Sequence, residues 1–116
     1  MLIETEILQA IRAAMPPHAE IQVVHGTGVF NVEVSWKLND DPERPNKRSK
    51  TISILVSHEA AEDFASASSV DQRVAYARVA AFLTAKIATF HPQHNVPKNE
   101  TPPVEQWVIS SAVLLG

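Results

Sequence analysis

The chain has 116 residues, 45% hydrophobic content and a formal net charge of −3, which indicates one globular domain over residues 1–116. It contains no cysteine, so disulfides, thiol catalysis and cysteine-based zinc sites are excluded. No apolar run reaches the roughly 18 residues that a membrane helix needs. The N-terminus carries Glu4 and Glu6 and lacks the basic region of a secretory signal. We therefore expect a cytoplasmic protein that does not enter membranes.

The first predicted element is an amphipathic helix over residues 3–15, where apolar residues recur at helical spacing. Pro16-Pro17 ends it, because proline cannot donate to the helical ladder. A short strand is predicted over residues 20–24, followed by a turn at residues 25–28. The glycines of that turn lack the spacing of a phosphate-binding loop.

A β-hairpin is the clearest pattern in the chain. Apolar and polar residues alternate over residues 29–38 and again over residues 51–57, which predicts two strands with one buried face. Residues 39–49 form a long charged loop between them, rich in turn residues. Because no helix separates the two strands, we expect them to pair antiparallel.

Two helices are predicted after the hairpin. Ser57 caps the first, which extends to about Ala65. Ser69 and Gln72 have the spacing of a capping box, so the second helix is predicted to begin there and to run over residues 70–90. Its many alanines favour helix and allow close approach to the sheet.

A proline-rich connector and a last strand complete the predicted fold. Residues 91–103 contain four prolines, and residues 104–109 form the strand. The final Val113–Leu115 stretch is predicted either to pack or to fray. The predicted class is α+β: a three- to four-stranded antiparallel sheet with the N-terminal helix and the long C-terminal-half helix packed on one face, in the order α-β-β-β-α-α-β.

Positive charge is concentrated in one short segment, residues 44–50, which holds four bases and no acids. The four bases are Arg44, Lys47, Arg48 and Lys50. One interpretation is a solvated loop whose bases balance the neighbouring acids. The alternative is contact with phosphates of a nucleic acid or another polyanion. The overall negative charge and the lack of interleaved aromatic residues favour the first interpretation.

No set of residues predicts catalysis, a metal or a cofactor. His91 and His94 are the only closely spaced histidines, and they are weak candidates for metal ligands because Pro92 breaks the helix and no cysteine completes the set. Ser57-His58 are neighbours in sequence, but adjacency does not make a catalytic triad. We therefore expect a protein that is not an enzyme.

Both tryptophans are placed on predicted strands, where core packing is the simplest interpretation. If the last strand lies at an open edge, Trp107-Val108-Ile109 is expected to be an adhesive patch, covered by a helix or by a second copy. A homodimer or an unidentified protein partner is therefore the favoured interaction. Nucleic acid is the less favoured one.

Three segments together resemble a known family. They are Trp36 on its strand, the run from Asp41 to Lys50, and Pro103-Val104-Glu105-Gln106-Trp107. They are similar to a domain-of-unknown-function family of small proteins from β-proteobacteria of the Burkholderia type. The resemblance implies a stand-alone bacterial protein and no particular activity. The predicted function is therefore a protein-interaction module, and the alternative is a weak polyanion binder acting through residues 44–50.

Overall fold

The structure, a computed structural model, describes residues 3–25 and 30–115. In chain order the elements are α1 (Ile3–Ala14), β1 (Glu20–His25), β2 (Phe30–Ser35), β3 (Thr51–Val56), α2 (His58–Ser66), α3 (Ser69–Thr89), β4 (Val104–Ile109) and α4 (Ser111–Leu115). The predicted order is found, followed by one further short helix. The predicted glycine turn and the predicted strand residue Val29 lie outside the described residues.

The sheet has four strands in the order β1-β2-β3-β4, and it is mixed. β1 with β2 and β2 with β3 are antiparallel, whereas β4 runs parallel to β3. The prediction of a purely antiparallel sheet was therefore wrong. Since α2, α3 and the connector lie between β3 and β4, they return the chain to the starting end of β3, and a parallel pair follows.

The core lies on one face of the sheet. Its strand residues include Val32 of β2 and Ile54 of β3, which pair in register. They also include Trp107 of β4, which pairs with Ile54 across the other edge of β3. Buried residues of all four helices belong to the same hydrophobic cluster, so the helices cover this face. The opposite face carries the alternate residues, which are mostly polar; we call it the open face.

The helix boundaries follow from side-chain caps. Ser57 caps α2 as predicted, its Oγ accepting from the Ala60 N–H at 3.1 Å. The cap of α3 is Ser68, whose Oγ accepts from the Asp71 N–H, rather than the predicted Ser69. The predicted capping box fails because the Gln72 amide instead donates to the carbonyl of Phe64 in the last turn of α2, at 2.9 Å.

The C-terminal residues pack rather than fray. Leu114 of α4 is buried in the core, and its carbonyl accepts from Nη1 of Arg78 on α3 at 3.2 Å. In the described part of the chain, no helix is long and apolar enough to cross a membrane.

Candidate functional site

The hairpin continues beyond the regular strands as an extension, residues 36–50, which we call the arm. Lys37 forms a bridge with Arg48, one residue out of the register that β2 and β3 keep. One extra residue therefore lies on the returning half of the arm, residues 47–50, which we call its second side. This is the arrangement of a β-bulge. The side chain of buried Ser49 satisfies two backbone groups at this irregular pairing. Its Oγ accepts from the Trp36 N–H at 3.0 Å and donates to the Lys50 carbonyl at 2.9 Å.

The connector, residues 91–103, lies beside the second side of the arm and is bonded to it. The Lys50 N–H donates to the Pro92 carbonyl at 3.0 Å, and Nη1 of Arg44 donates to the Val96 carbonyl at 2.9 Å. The segment contains neither helix nor regular strand. These two hydrogen bonds, both to connector carbonyls, therefore fix the connector alongside the arm.

The structure places two of the four predicted basic side chains in ion pairs. Nζ of Lys47 lies 3.4 Å from a carboxylate oxygen of Asp40, and only 8% of the Lys47 side chain is exposed. Nη2 of Arg48 donates to Ser35 Oγ and pairs with Glu20, both at 2.7 Å. Arg48 therefore reaches the open face of the sheet, where Glu20 and Ser35 lie.

The other two bases also have partners. Arg44 donates to the connector as described, and Nζ of Lys50 lies 5.7 Å from the centroid of the Phe90 ring, a cation–π distance. All four side chains of residues 44–50 that were candidates for anion contact thus make intramolecular contacts. Of these contacts, the Lys47–Asp40 pair matches the interpretation of a loop balanced by its neighbouring acids; that interpretation and anion binding both stay predictions.

A cleft of about 430 Å³ separates the tip of the arm from the connector. Arg44, Lys47 and Arg48 line it, whereas Lys50 lies at the base of the arm beside Phe90. The connector adds Lys98, which the sequence analysis missed because it lies in a different segment. The acids of the cleft are Glu43 and Glu100, so the bases outnumber them.

The two candidate metal-binding histidines differ in their surroundings. Nδ1 of His94 accepts from the Val96 N–H at 3.2 Å, so Nε2 carries the proton and donates to the Arg48 carbonyl at 2.8 Å. Nε2 of His94 thus holds the connector on the arm, whereas Nδ1 fixes the ring within the connector, and His91 is exposed. Among the described residues, no three His, Asp or Glu side chains cluster as metal ligands would.

Aromatic rings connect the base of the arm to β4. Trp36 meets the edge of Phe90 at 5.7 Å between centroids, and Phe90 meets Trp107 at 6.0 Å. His18 continues the row on the other side of Trp36, at 6.3 Å. Both tryptophans are buried, as core packing predicted. The orientation of the arm is therefore coupled by packing to the strand at the edge of the sheet.

The outer side of β4 is the second candidate surface. Thr51 N–H donates to the Pro103 carbonyl and Ser57 N–H to the Ile109 carbonyl, so the odd-numbered residues of β4 bond to β3. In a parallel ladder the alternate residues then direct their N–H and C=O groups outward. These residues are Val104, Gln106 and Val108, and no described residue bonds to their outward backbone groups. We call this row the free edge.

The exposed apolar side chains of β4 differ from the predicted patch. Trp107 and Ile109 are buried in the core, whereas Val108 is 42% exposed and Val104 is 59% exposed. Both valines, together with Gln106, lie on the open face. Of the predicted patch, Trp107 and Ile109 are thus covered by the helices, which is one of the two predicted coverings, and Val108 stays exposed because it points away from the helices.

The fold and these surfaces define an α+β domain with a mixed four-stranded sheet, an arm hydrogen-bonded to a connector, and the free edge of β4. Comparison with family models, curated proteins and solved structures found no match to this chain. The family resemblance of its sequence therefore stays a prediction.

Proposed function

We propose that this protein is a non-enzymatic interaction module of the bacterial cytoplasm, which binds an extended polypeptide segment along the free edge of β4. The observation that supports it most is the row of outward backbone groups at Val104, Gln106 and Val108, which bond to no described residue. Such a row is a template for an added strand, in which main-chain hydrogen bonds supply affinity and alternate side chains supply selectivity.

Two features of the edge favour this use. The strand is held firmly, since its other side is bonded to β3 and its Trp107 is buried between core residues. A rigid edge loses little conformational entropy when a segment binds. In addition, the exposed valines flank Gln106 on the open face, which favours a segment with apolar residues at alternate positions.

The experiment selects linear peptides from a displayed library on the wild-type protein and compares their binding to two variants. Gln106→Pro removes the outward N–H without removing a bond to β3, because proline is tolerated at an edge position. Gln106→Ala keeps the N–H and serves as the matched control. We expect selected peptides to bind the alanine variant and to lose at least about tenfold in affinity on the proline variant. Equal binding to both variants, or no selected peptide, contradicts the proposal.

A second candidate function is polyanion binding in the cleft. The observation that favours it is the approach of Lys98 to Arg44, Lys47 and Arg48 around one concavity. Short RNA and DNA strands added at low salt should then shift the amide NMR signals of the cleft, and added salt should reverse the shifts. Lys98→Glu should abolish them, whereas Lys37→Glu, an exposed base outside the cleft, should not. Absence of salt-sensitive shifts rejects this function.

A further inference from the structure

We infer that the segment which binds the free edge is β4 of a second copy of this chain, antiparallel about a two-fold axis at Gln106. This inference rests on the strand-edge binding proposed above and names its partner. A second copy is favoured because the free edge is self-complementary in both hydrogen bonding and side chains.

The outward residues of β4 are spaced so that their hydrogen-bonding groups can pair with those of a second copy. Val104 and Val108 are equidistant from Gln106, so a two-fold axis there places Gln106 opposite the partner's Gln106 and Val104 opposite the partner's Val108. All of these residues direct their backbone groups outward. Each facing pair can therefore exchange both of its N–H···O bonds, which is the closely bonded arrangement of an antiparallel ladder. No outward group of the strand is left without a partner.

The side chains match in the same register. Facing residues lie on the same face of an antiparallel pair, so valine meets valine and glutamine meets glutamine on the open face. Within the chain, Leu55 lies beside Val108 and is half-buried on that face. The pairing thus extends one apolar row from Leu55 through Val108 to the partner's Val104.

Charge also favours β4 over the other edge of the sheet. The outward residues of β4 are uncharged, and the carboxylate of Glu105 accepts from Nε1 of its own Trp107 at 2.7 Å. The open face of β1, by contrast, carries the exposed Glu20, which is engaged by Arg48 from the arm. A second copy at β4 therefore leaves the ion pair at the β1 edge intact.

The expected association is weak. One strand of six residues buries less than the roughly 1,200 Å² of a standard stable interface. We therefore expect a dissociation constant of roughly 10 µM to 1 mM and a reversible dimer.

Light scattering and sedimentation velocity from low micromolar into millimolar concentration test the inference. We expect the mass to rise from 12.7 kDa toward twice that value for the wild type and for Gln106→Ala. Gln106→Pro should weaken dimerisation at least about tenfold. A monomer at all concentrations overturns the inference, as does a dimer that Gln106→Pro leaves unchanged.

A charge exchange provides a test that does not depend on the folding of the proline variant. Val104→Lys and Val108→Glu should each remain monomeric alone. An equimolar mixture of the two should dimerise, because the lysine then faces the partner's glutamate while the remaining valines face each other. A mixture of Val104→Lys with Val104→Glu is the matched control and should stay monomeric. Failure of the first mixture, or dimerisation of the second, contradicts the register.

A single introduced cysteine tests the position of the two-fold axis, because the chain has no cysteine of its own. Under mild oxidation, Gln106→Cys should form the disulfide dimer much faster than Gln22→Cys, whose side chain lies on the same face at the opposite edge. Equal rates reject the axis. Peptides that bind at the edge of a strictly monomeric protein would overturn only the inference of a second copy, whereas failure of both experiments would overturn the proposed function as well.

Discussion

Substitution of Ser49 by alanine is expected to loosen the base of the arm. The Ser49 hydroxyl is 1% exposed and satisfies both the Trp36 N–H and the Lys50 carbonyl. Alanine leaves the buried N–H without a partner, which costs about 1–3 kcal/mol, while the carbonyl of half-buried Lys50 recovers part of its loss from water. We therefore expect the free energy of unfolding to fall by about 2 kcal/mol and the Tm by roughly 8 °C.

Urea denaturation and thermal melting measure this loss, and amide hydrogen exchange locates it. The Trp36 amide should exchange faster in Ser49→Ala, because its hydrogen bond at the irregular register is gone. Ser66→Ala, at an exposed site at the end of α2, is the control and should change stability by less than about 0.5 kcal/mol. A loss below about 0.5 kcal/mol for Ser49→Ala would refute the assigned role of this hydroxyl.

Three further predictions concern the packing of Phe90, the cap of α3 and the attachment of the connector to the arm. Phe90→Ala should lower the free energy of unfolding by about 3–4 kcal/mol in urea denaturation, since the ring fills the space between the two tryptophans; a loss under about 1 kcal/mol would contradict that packing. Ser68→Ala should cost about 1 kcal/mol in the same assay and Ser69→Ala almost nothing, because only the former caps α3; the reverse order would restore the predicted cap. His94→Ala should cost about 1–2 kcal/mol and speed amide exchange in the connector, whereas exposed His91→Ala should do neither; equal effects would refute this attachment.

The sequence predicted those parts of the fold that local patterns encode. Alternation placed the hairpin strands and their buried face, and the core residues Val32, Val34 and Trp36 lie where the pattern put them. The long helix and the bounds of the final strand were also predicted from the sequence. The Ser68 cap was missed because Ser68 and Ser69 offer the same hydroxyl, and only the contact of Gln72 with Phe64 distinguishes them.

The direction of β4 and the partners of the basic loop depend on the path of the chain in space. No local pattern tells whether a strand after a long helix pairs parallel, since the route of the connector along the arm decides it. Arg48 pairs with Glu20, and Arg44 bonds to Val96, both remote along the chain. The concentration of positive charge in residues 44–50 could therefore be predicted from the sequence, whereas the contacts of these side chains could not.

Amide hydrogen exchange at Gln106 tests most directly whether the free edge of β4 binds another strand. The Gln106 N–H points outward, so it should exchange rapidly in dilute protein. Raising the protein concentration into the millimolar range should slow it several-fold, together with Val108, while Val23, whose N–H is directed outward at the opposite edge, keeps its rate. Exchange at Gln106 that is equally fast at all concentrations would contradict pairing with a second copy. Exchange that is equally slow at all concentrations would contradict the free edge itself.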